Sequence, residues 1–220
     1  IIKMPNYKDQ EDIPSMFSTL CDLVKDKKYS LGVLAQFLNV GAMIMCWTYI
    51  YQYAEGIGID SVTAGYFQMI AFVLFAIGRA VGTYLLRFTS SGKLLMSFSA
   101  LAMVFVLGTI FIKGDLGLYS LVSVSFCLSL MFPTIYGIAL EDLTEEQSKI
   151  GSAGLVMAIV GSALLPKLQG IVIDFGGRGV ADILILGVSE VNFSFLLPLL
   201  CFFYLSWYGF RVSNKNIISP

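Results

Sequence analysis

The stretch LGVLAQFLNVGAMIMCWTYIYQYA, residues 31–54, contains no charged residue and decides the fold class. An α-helix rises 1.5 Å per residue, so about 20 apolar residues cross the roughly 30 Å hydrocarbon layer of a membrane. This run is long enough to span a bilayer. Similar runs follow it, and we predict five more spans, at residues 62–86, 94–112, 118–140, 150–173 and 193–210.

The composition favours an all-α integral membrane protein over a soluble domain. Hydrophobic residues make up 57% of the 220 residues and charged residues 13%, with a mean hydropathy of +0.80. Soluble domains carry about 25% charged residues. The net charge of −1 does not indicate a nucleic-acid partner. The chain contains no histidine, so we expect no metal site, no cofactor and no histidine-based catalysis.

The hydrophobicity pattern divides the chain into three regions. We interpret residues 1–30 as a cytoplasmic linker, residues 31–212 as a six-helix domain and residues 213–220 as a cytoplasmic tail. In the linker, four apolar residues at helical spacing predict an amphipathic helix on the membrane surface, with an irregular linker as the alternative: Met16, Phe17, Leu20 and Val24. Because the chain begins at Ile1, we expect it to be a piece of a longer polypeptide.

The distribution of basic residues predicts the orientation in the membrane, because cytoplasmic loops are enriched in lysine and arginine. With both ends inside, the inner segments hold ten such residues and the outer loops only two, Lys113 and Arg178. This pattern predicts a multi-pass protein with both termini in the cytoplasm. The longest outer loop, residues 174–192, contains glycines that we expect to terminate the fifth span rather than bind phosphate.

The second and fifth spans share a small motif, a cation three residues before a glycine. Arg79 precedes Gly82 in one span, and Lys167 precedes Gly170 in the other. Spans two and five are three crossings apart, so they cross the membrane in opposite directions. A matching motif in both spans therefore predicts an inverted 3+3 repeat, in which spans one to three and spans four to six have opposite topologies. Only two residues match, and a chance match is the alternative.

Several stretches together resemble the fucose permease family of sugar-proton symporters. They occur in the family's order and spacing: VGAMIMCWTYIYQY at 40–53, AIGRAVGTYL at 76–85, MFPTIYGIAL at 131–140, KIGSAGLVMAIVGSALLP at 149–166 and PLLCFFYLSWYGF at 198–210. The resemblance implies the C-terminal six helices of a twelve-helix major facilitator fold, whose N-terminal half is missing from this chain. It also implies proton-driven monosaccharide uptake across the bacterial inner membrane. Met43 and Phe132 depart from the family pattern, where glutamine and tyrosine are expected.

One stripe of the first span carries the candidate sugar-binding residues. At offsets of 3, 4 and 4, they share one helical face: Gln36, Asn39, Met43 and Trp47. Amides hydrogen-bond sugar hydroxyls, and an indole packs on the apolar face of a sugar ring. The alternative is that the amides join neighbouring helices, as they often do in membranes.

The fourth span adds two aromatic candidates beside a proline. Phe132 and Tyr136 are four residues apart and are predicted to share a face near the sugar. Proline lacks a backbone donor and clashes with the preceding turn, so we predict a break in the helix at Pro133, which can be purely structural.

Two charged residues fall inside predicted spans. Arg79 is expected to need a partner or a route to water, and we assign it, with Gly82, a gating or structural role. Lys167 is expected to reach the outer interface with its long side chain.

Two other functions are compatible with six spans. A self-contained channel or carrier acting as a dimer would call for a ring of charges or a carbonyl filter, and the sequence indicates neither. A membrane-embedded enzyme would need grouped catalytic residues, and the spans contain no carboxylate pair and no grouped cysteines. We therefore expect a transporter and not an enzyme.

Overall fold

The computed structural model describes residue 19, residues 21–177 and residues 183–218. Most of the predicted amphipathic helix, including Met16, Phe17 and Leu20, lies outside the described residues, as do Arg178 and Gly179. Val24 belongs to a helical segment at residues 21–25 and is exposed.

The helices and strands of the described residues are as follows: α1 Lys27–Thr48, α2 Ile50–Gly56, α3 Ser61–Leu85, α4 Ser91–Phe111, α5 Asp115–Leu140, α6 Glu145–Met157, a 3₁₀ turn Ala158–Val160, α7 Gly161–Ile173, β1 Leu184–Ile185, β2 Val188–Ser189, α8 Glu190–Ser194 and α9 Leu196–Ile218. Within this part of the chain, six helical segments are long and apolar enough to cross a membrane. They coincide with the six predicted spans and extend several of them.

Helix caps explain two of the extensions. The first span begins at Lys27 because the Asp26 side chain accepts hydrogen bonds from the backbone of the first turn. The fifth begins at Glu145, where Thr144 and Gln147 form a reciprocal capping box. The boundaries predicted at residues 31 and 150 were late because they followed hydrophobicity alone.

The packing of the spans confirms the half-facilitator fold. Spans one and four, α1 and α5, pack together at the centre. Span one also packs against spans five and six, whereas span four packs against spans two and three, and spans three and six pack against each other. If spans one, two and three change places with spans four, five and six, the same set of contacts results. An inverted 3+3 repeat requires this symmetry.

The predicted helix break at Pro133 is wrong. α5 runs without interruption from Asp115 to Leu140, with Pro133 inside it. A proline removes the donor to the carbonyl four residues earlier, which is that of Ser129. That carbonyl accepts a hydrogen bond from Arg79 instead, so the helix continues past the proline without leaving this acceptor unpaired.

The described residues of the loop at 174–192 contain regular structure that was not predicted from the sequence. It contains an antiparallel hairpin in which Leu184 pairs with Ser189 and Ile185 with Val188. The preceding helix ends at Ile173, before the glycines, and the backbone N–H of Gly176 donates to Glu190 Oε2 at 3.0 Å. Gly176 therefore holds the loop against the start of α8, and the helix ends before it.

Candidate functional site

Trp47 is the centre of an aromatic cluster where α1, α3 and α5 meet. Its indole Nε1 donates to Ser125 Oγ at 3.1 Å. The rings of Phe72 and Phe75 approach the indole edge-on, with centroids 5.0 and 5.3 Å away. We call these four residues the Trp47 cluster. Its contacts fix the indole from two helices, and the ring stays half-buried, so part of it is accessible to a ligand.

Arg79 extends the Trp47 cluster by one turn of α3. Its Nε donates to the carbonyl oxygen of Ser129 at 3.2 Å, and its guanidinium carbon lies 5.7 Å from the centre of the Phe75 ring. The side chain remains exposed. Arg79 therefore has the partner that a charge in a span was expected to need, and the four N–H groups of its two terminal nitrogens are left for other acceptors.

The aromatic pair of α5 is arranged as predicted. The rings of Phe132 and Tyr136 are stacked, with centroids 6.4 Å apart and planes inclined by 13°. Both are half-buried, and Pro133 beside them is exposed. Their shared face is confirmed.

Gln36 and Asn39 lie deeper than the other candidates. They are 0% and 1% exposed, and neither side-chain atom of either amide has a hydrogen-bond partner. A buried unpaired polar group is costly, so such amides imply a water molecule or a ligand group. Asn39 is eight residues from Trp47, about 12 Å along the helix. The two amides and Trp47 therefore stand at different depths of the domain.

The remaining candidates, Met43, Gly82 and Lys167, differ in how much of each residue is exposed. Met43 is half-buried and packs against the core. Gly82 is buried, and a Cβ there would lie 2.8 Å from a methyl carbon of Leu130, so a larger residue would require the Leu130 side chain to shift. Lys167 is exposed on α7.

A polar network at one end of the domain was not predicted. Asn192 Nδ2 donates to the carbonyl oxygen of Thr109 at 3.1 Å, and the Tyr53 hydroxyl donates to the same oxygen at 3.2 Å. This network joins the first span through Tyr53, the third through Thr109 and the sixth through Asn192. The carbonyls of a helix's last turn lack helical donors, but sequence does not show which distant side chain supplies them.

Two further observations bear on the kind of site. Among the described residues, no group of three or more His, Cys, Asp or Glu side chains is placed to hold a metal ion. A cavity of about 550 Å³ between α1 and α6 is lined by apolar residues such as Val33, Phe37 and Met157, and by none of the predicted sugar-binding residues. That cavity does not mark the candidate site.

Comparison with known proteins identifies relatives along almost the whole chain. The L-fucose-proton symporter of Haemophilus influenzae is 46% identical and matches 95% of this chain and 47% of its own length. The Escherichia coli L-fucose-proton symporter is 31% identical over 91% of this chain, and the Brucella abortus glucose/galactose transporter 27% identical over 95%. No protein-family model matches.

Solved structures give the same result. A crystal structure of a major facilitator superfamily transporter in the outward conformation superimposes with a TM-score of 0.81 at 28% identity, covering 96% of this chain and 49% of that one. The Escherichia coli fucose:proton symporter also gives 0.81, at 27% identity. The chain thus spans about half the length of its relatives, which are transporters and not enzymes. The chain belongs to the fucose permease family of the major facilitator superfamily and corresponds to the C-terminal half of its fold.

Proposed function

We propose that this chain is the C-terminal half of a proton-coupled monosaccharide symporter. The names of its relatives support this activity. The observation that carries the proposal is the Trp47 cluster, in which an indole inside a membrane domain is fixed by Ser125 and two phenylalanines but keeps part of its surface accessible. An amphipathic ring held in this way suits a sugar, which presents both C–H faces and hydroxyls.

In this proposal the substrate lies between this half and an N-terminal six-helix half. Trp47 packs against the sugar ring, with Met43 one turn away on α1. Phe132 and Tyr136 line the substrate's path nearer the other end of α1, since Tyr136 packs against the cluster that contains Tyr29 and Ile150. Gln36 and Asn39 lie about 12 Å or more along α1 from Trp47, so they supply hydrogen bonds farther along the substrate's path, directly or through water, because their amide atoms have no protein partner. Met43 and Phe132 replace hydrogen-bonding residues of the family pattern, so we do not assign fucose over glucose or galactose.

Transport would follow alternating access, in which two six-helix halves rock about a site near the midplane. The domain in this proposal is residues 31–212, with residues 1–30 as linker and residues 213–220 as tail. Both termini would be cytoplasmic in a bacterial inner membrane. Gly82 and Arg79 would hold α3 against α5 while the halves move, since both contact that helix.

Uptake measurements test the activity. The full-length carrier containing this chain, in proteoliposomes, is expected to accumulate one of L-fucose, D-glucose or D-galactose when a proton gradient is imposed. The six-helix chain alone is expected to be inactive, because it forms only half of the cavity. Uptake by the chain alone would favour the self-contained dimeric carrier, and absence of proton-driven uptake of any monosaccharide would contradict the proposal.

Cysteine labelling tests the orientation. Cysteines replacing Ser61 and Lys113 should react with an impermeant reagent from outside the cell, and those replacing Ser91 and Glu146 only from inside. All four positions are exposed. Lys113 is preferable to the neighbouring Gly114, whose φ of 75° disfavours a side chain. A reversed pair would overturn this orientation.

A further inference from the structure

The hairpin between the fifth and sixth spans has an unusual residue at its tip. Leu186 and Gly187 form the two-residue loop between β1 and β2, with φ angles of 53° and 85°. Such a loop with two positive φ angles strongly favours Asn-Gly, Asp-Gly or Gly-Gly. Leucine occupies the first position instead, although its side chain resists this conformation.

Packing within the domain does not explain this leucine. Leu186 is 89% exposed, and Leu184, two residues earlier in β1, is 72% exposed. The opposite side of the hairpin carries Val188, which is buried. The hairpin therefore has one face directed to the domain and one apolar face directed away from it.

The hairpin is also fixed to the domain, so the apolar face has a defined place. The Glu190 carboxylate accepts from the backbone N–H of Gly176, and the Ser189 hydroxyl donates to Asn192 Oδ1 at 2.7 Å. Asn192 in turn donates to the carbonyl of Thr109 at the end of α4. These bonds tie the β2 side of the hairpin to the ends of the spans, and β1 is held by its pairing with β2.

Exposed apolar residues also follow one face of the fifth span, which precedes the hairpin in the chain. Exposed apolar residues recur every three or four positions along that span, which places them on one stripe: Met157, Val160, Leu164, Leu168, Ile171 and Phe175. The stripe ends at Phe175, 78% exposed, two residues past the end of α7. Residues 183–189 contain no charge, so nothing in them opposes contact with the hydrocarbon boundary.

We propose that the hairpin tip inserts into the interfacial layer of the bilayer, with Leu184 and Leu186 in contact with lipid. The exposed stripe of the fifth span meets the same lipid, and the hairpin extends that contact beyond the end of the helix. Insertion accounts for an apolar residue at a turn position where a polar one is favoured, because lipid contact offsets the cost of the backbone conformation. The hairpin then acts as an anchor that fixes the depth of the sixth span.

Spin-label accessibility tests this in the full-length carrier, reconstituted in liposomes of phosphatidylethanolamine and phosphatidylglycerol. Accessible cysteines, including Cys21, are first replaced by serine; Cys46, Cys127 and Cys201 are buried and can remain. A nitroxide is then attached at Leu186→Cys and its collision rates with oxygen, which concentrates in lipid, and with a water-soluble nickel chelate are compared. Leu164→Cys on the stripe and Lys113→Cys in an exposed loop are the lipid and water controls.

We expect the label at position 186 to favour oxygen, as at position 164, with a several-fold lower nickel collision rate than at position 113. A water-like ratio would overturn the proposal, and shielding from both reagents would assign the tip to a protein contact instead. A second variant separates insertion from folding: Leu186→Asn suits the turn but is polar. In that background a label at Leu184→Cys should become several-fold more accessible to nickel, and an unchanged ratio would contradict insertion.

Discussion

Arg79 Nε lies 3.2 Å from the carbonyl oxygen of Ser129, the acceptor that Pro133 leaves without its helical donor. The charged residue of the second span and the proline of the fourth thus belong to one arrangement. In a membrane an unpaired backbone carbonyl is costly, and a guanidinium also needs acceptors. The Arg79 guanidinium therefore supplies the donor that the Ser129 carbonyl lacks and gains an acceptor from it, and this hydrogen bond joins α3 to α5.

This relationship predicts that Arg79 and Pro133 are energetically coupled. Arg79→Met should destabilise the carrier by about 1–3 kcal/mol, because the Ser129 carbonyl loses its donor. In a Pro133→Ala background the alanine N–H supplies that donor, so Arg79→Met should cost less. A double-mutant cycle on thermal unfolding in detergent measures the coupling, expected at about 0.5–3 kcal/mol. Additive effects would show that the two residues act independently.

The crossing of α3 and α5 at Gly78 should not tolerate a side chain. A Cβ at Gly78 would meet the backbone of Phe126 and lie 2.7 Å from Ser129 Oγ. Gly78→Ala should lower stability by about 1–3 kcal/mol through overpacking. Gly137→Ala is the matched control, since nothing lies within 4 Å of that Cβ, and it should raise stability by about 0.5–1 kcal/mol. Equal effects at both positions would refute the close crossing.

Trp47 should contribute directly to sugar affinity. Trp47→Ala is expected to weaken binding by about 1–3 kcal/mol, the range for a lost aromatic contact. Trp47→Phe keeps a ring but loses the hydrogen bond to Ser125 and should have a smaller effect. Isothermal titration of the purified carrier measures both, with the exposed Trp207→Phe as control. Wild-type affinity in a folded Trp47→Ala carrier would remove the indole from the site.

Replacing Asn39 tests whether its buried amide binds substrate or is only an unpaired group in the core. If its amide holds substrate or a substrate-linked water, Asn39→Leu should impair sugar binding. Because both amide atoms lack protein partners, the same change should leave the melting temperature unchanged or raise it. Thermal unfolding and binding are measured on the same preparation. Unchanged binding with a raised melting temperature would show that Asn39 is an unsatisfied core residue and not part of the site.

Proton coupling should survive changes to the ionisable groups of this half. In the described residues the acidic side chains lie at the ends of spans or between them; Glu190, the first residue of α8, is buried there. We expect Lys167→Met and Glu190→Gln each to retain sugar-driven proton uptake, because the coupling carboxylate is proposed to lie in the N-terminal half. Proton flux and sugar exchange are measured in the same proteoliposomes. Retained exchange without proton flux in either variant would place the coupling group on this half.

The number and approximate limits of the spans, and the C-terminal half of the family fold, were predictable from sequence. Hydrophobic runs are a local property, so the order of residues is enough to find them, whereas the caps at Asp26 and Thr144 that set two of the span limits were identified only in the structure. The shared face of Phe132 and Tyr136 was predictable for the same reason, since a spacing of four places two residues on one side of any helix.

Contacts between distant segments were decided only by the tertiary structure. Phe72 and Phe75 carry no local sign that they meet Trp47, although their spacing with Arg79 places them on related faces of α3. The carbonyl that Pro133 leaves without its helical donor is paired by Arg79, 54 positions before the proline in the chain. The burial of Gln36 and the hairpin tip at Leu186 depend likewise on what packs around them. Sequence periodicity determines which residues share a face, whereas the partner of that face is set by how all six helices pack together.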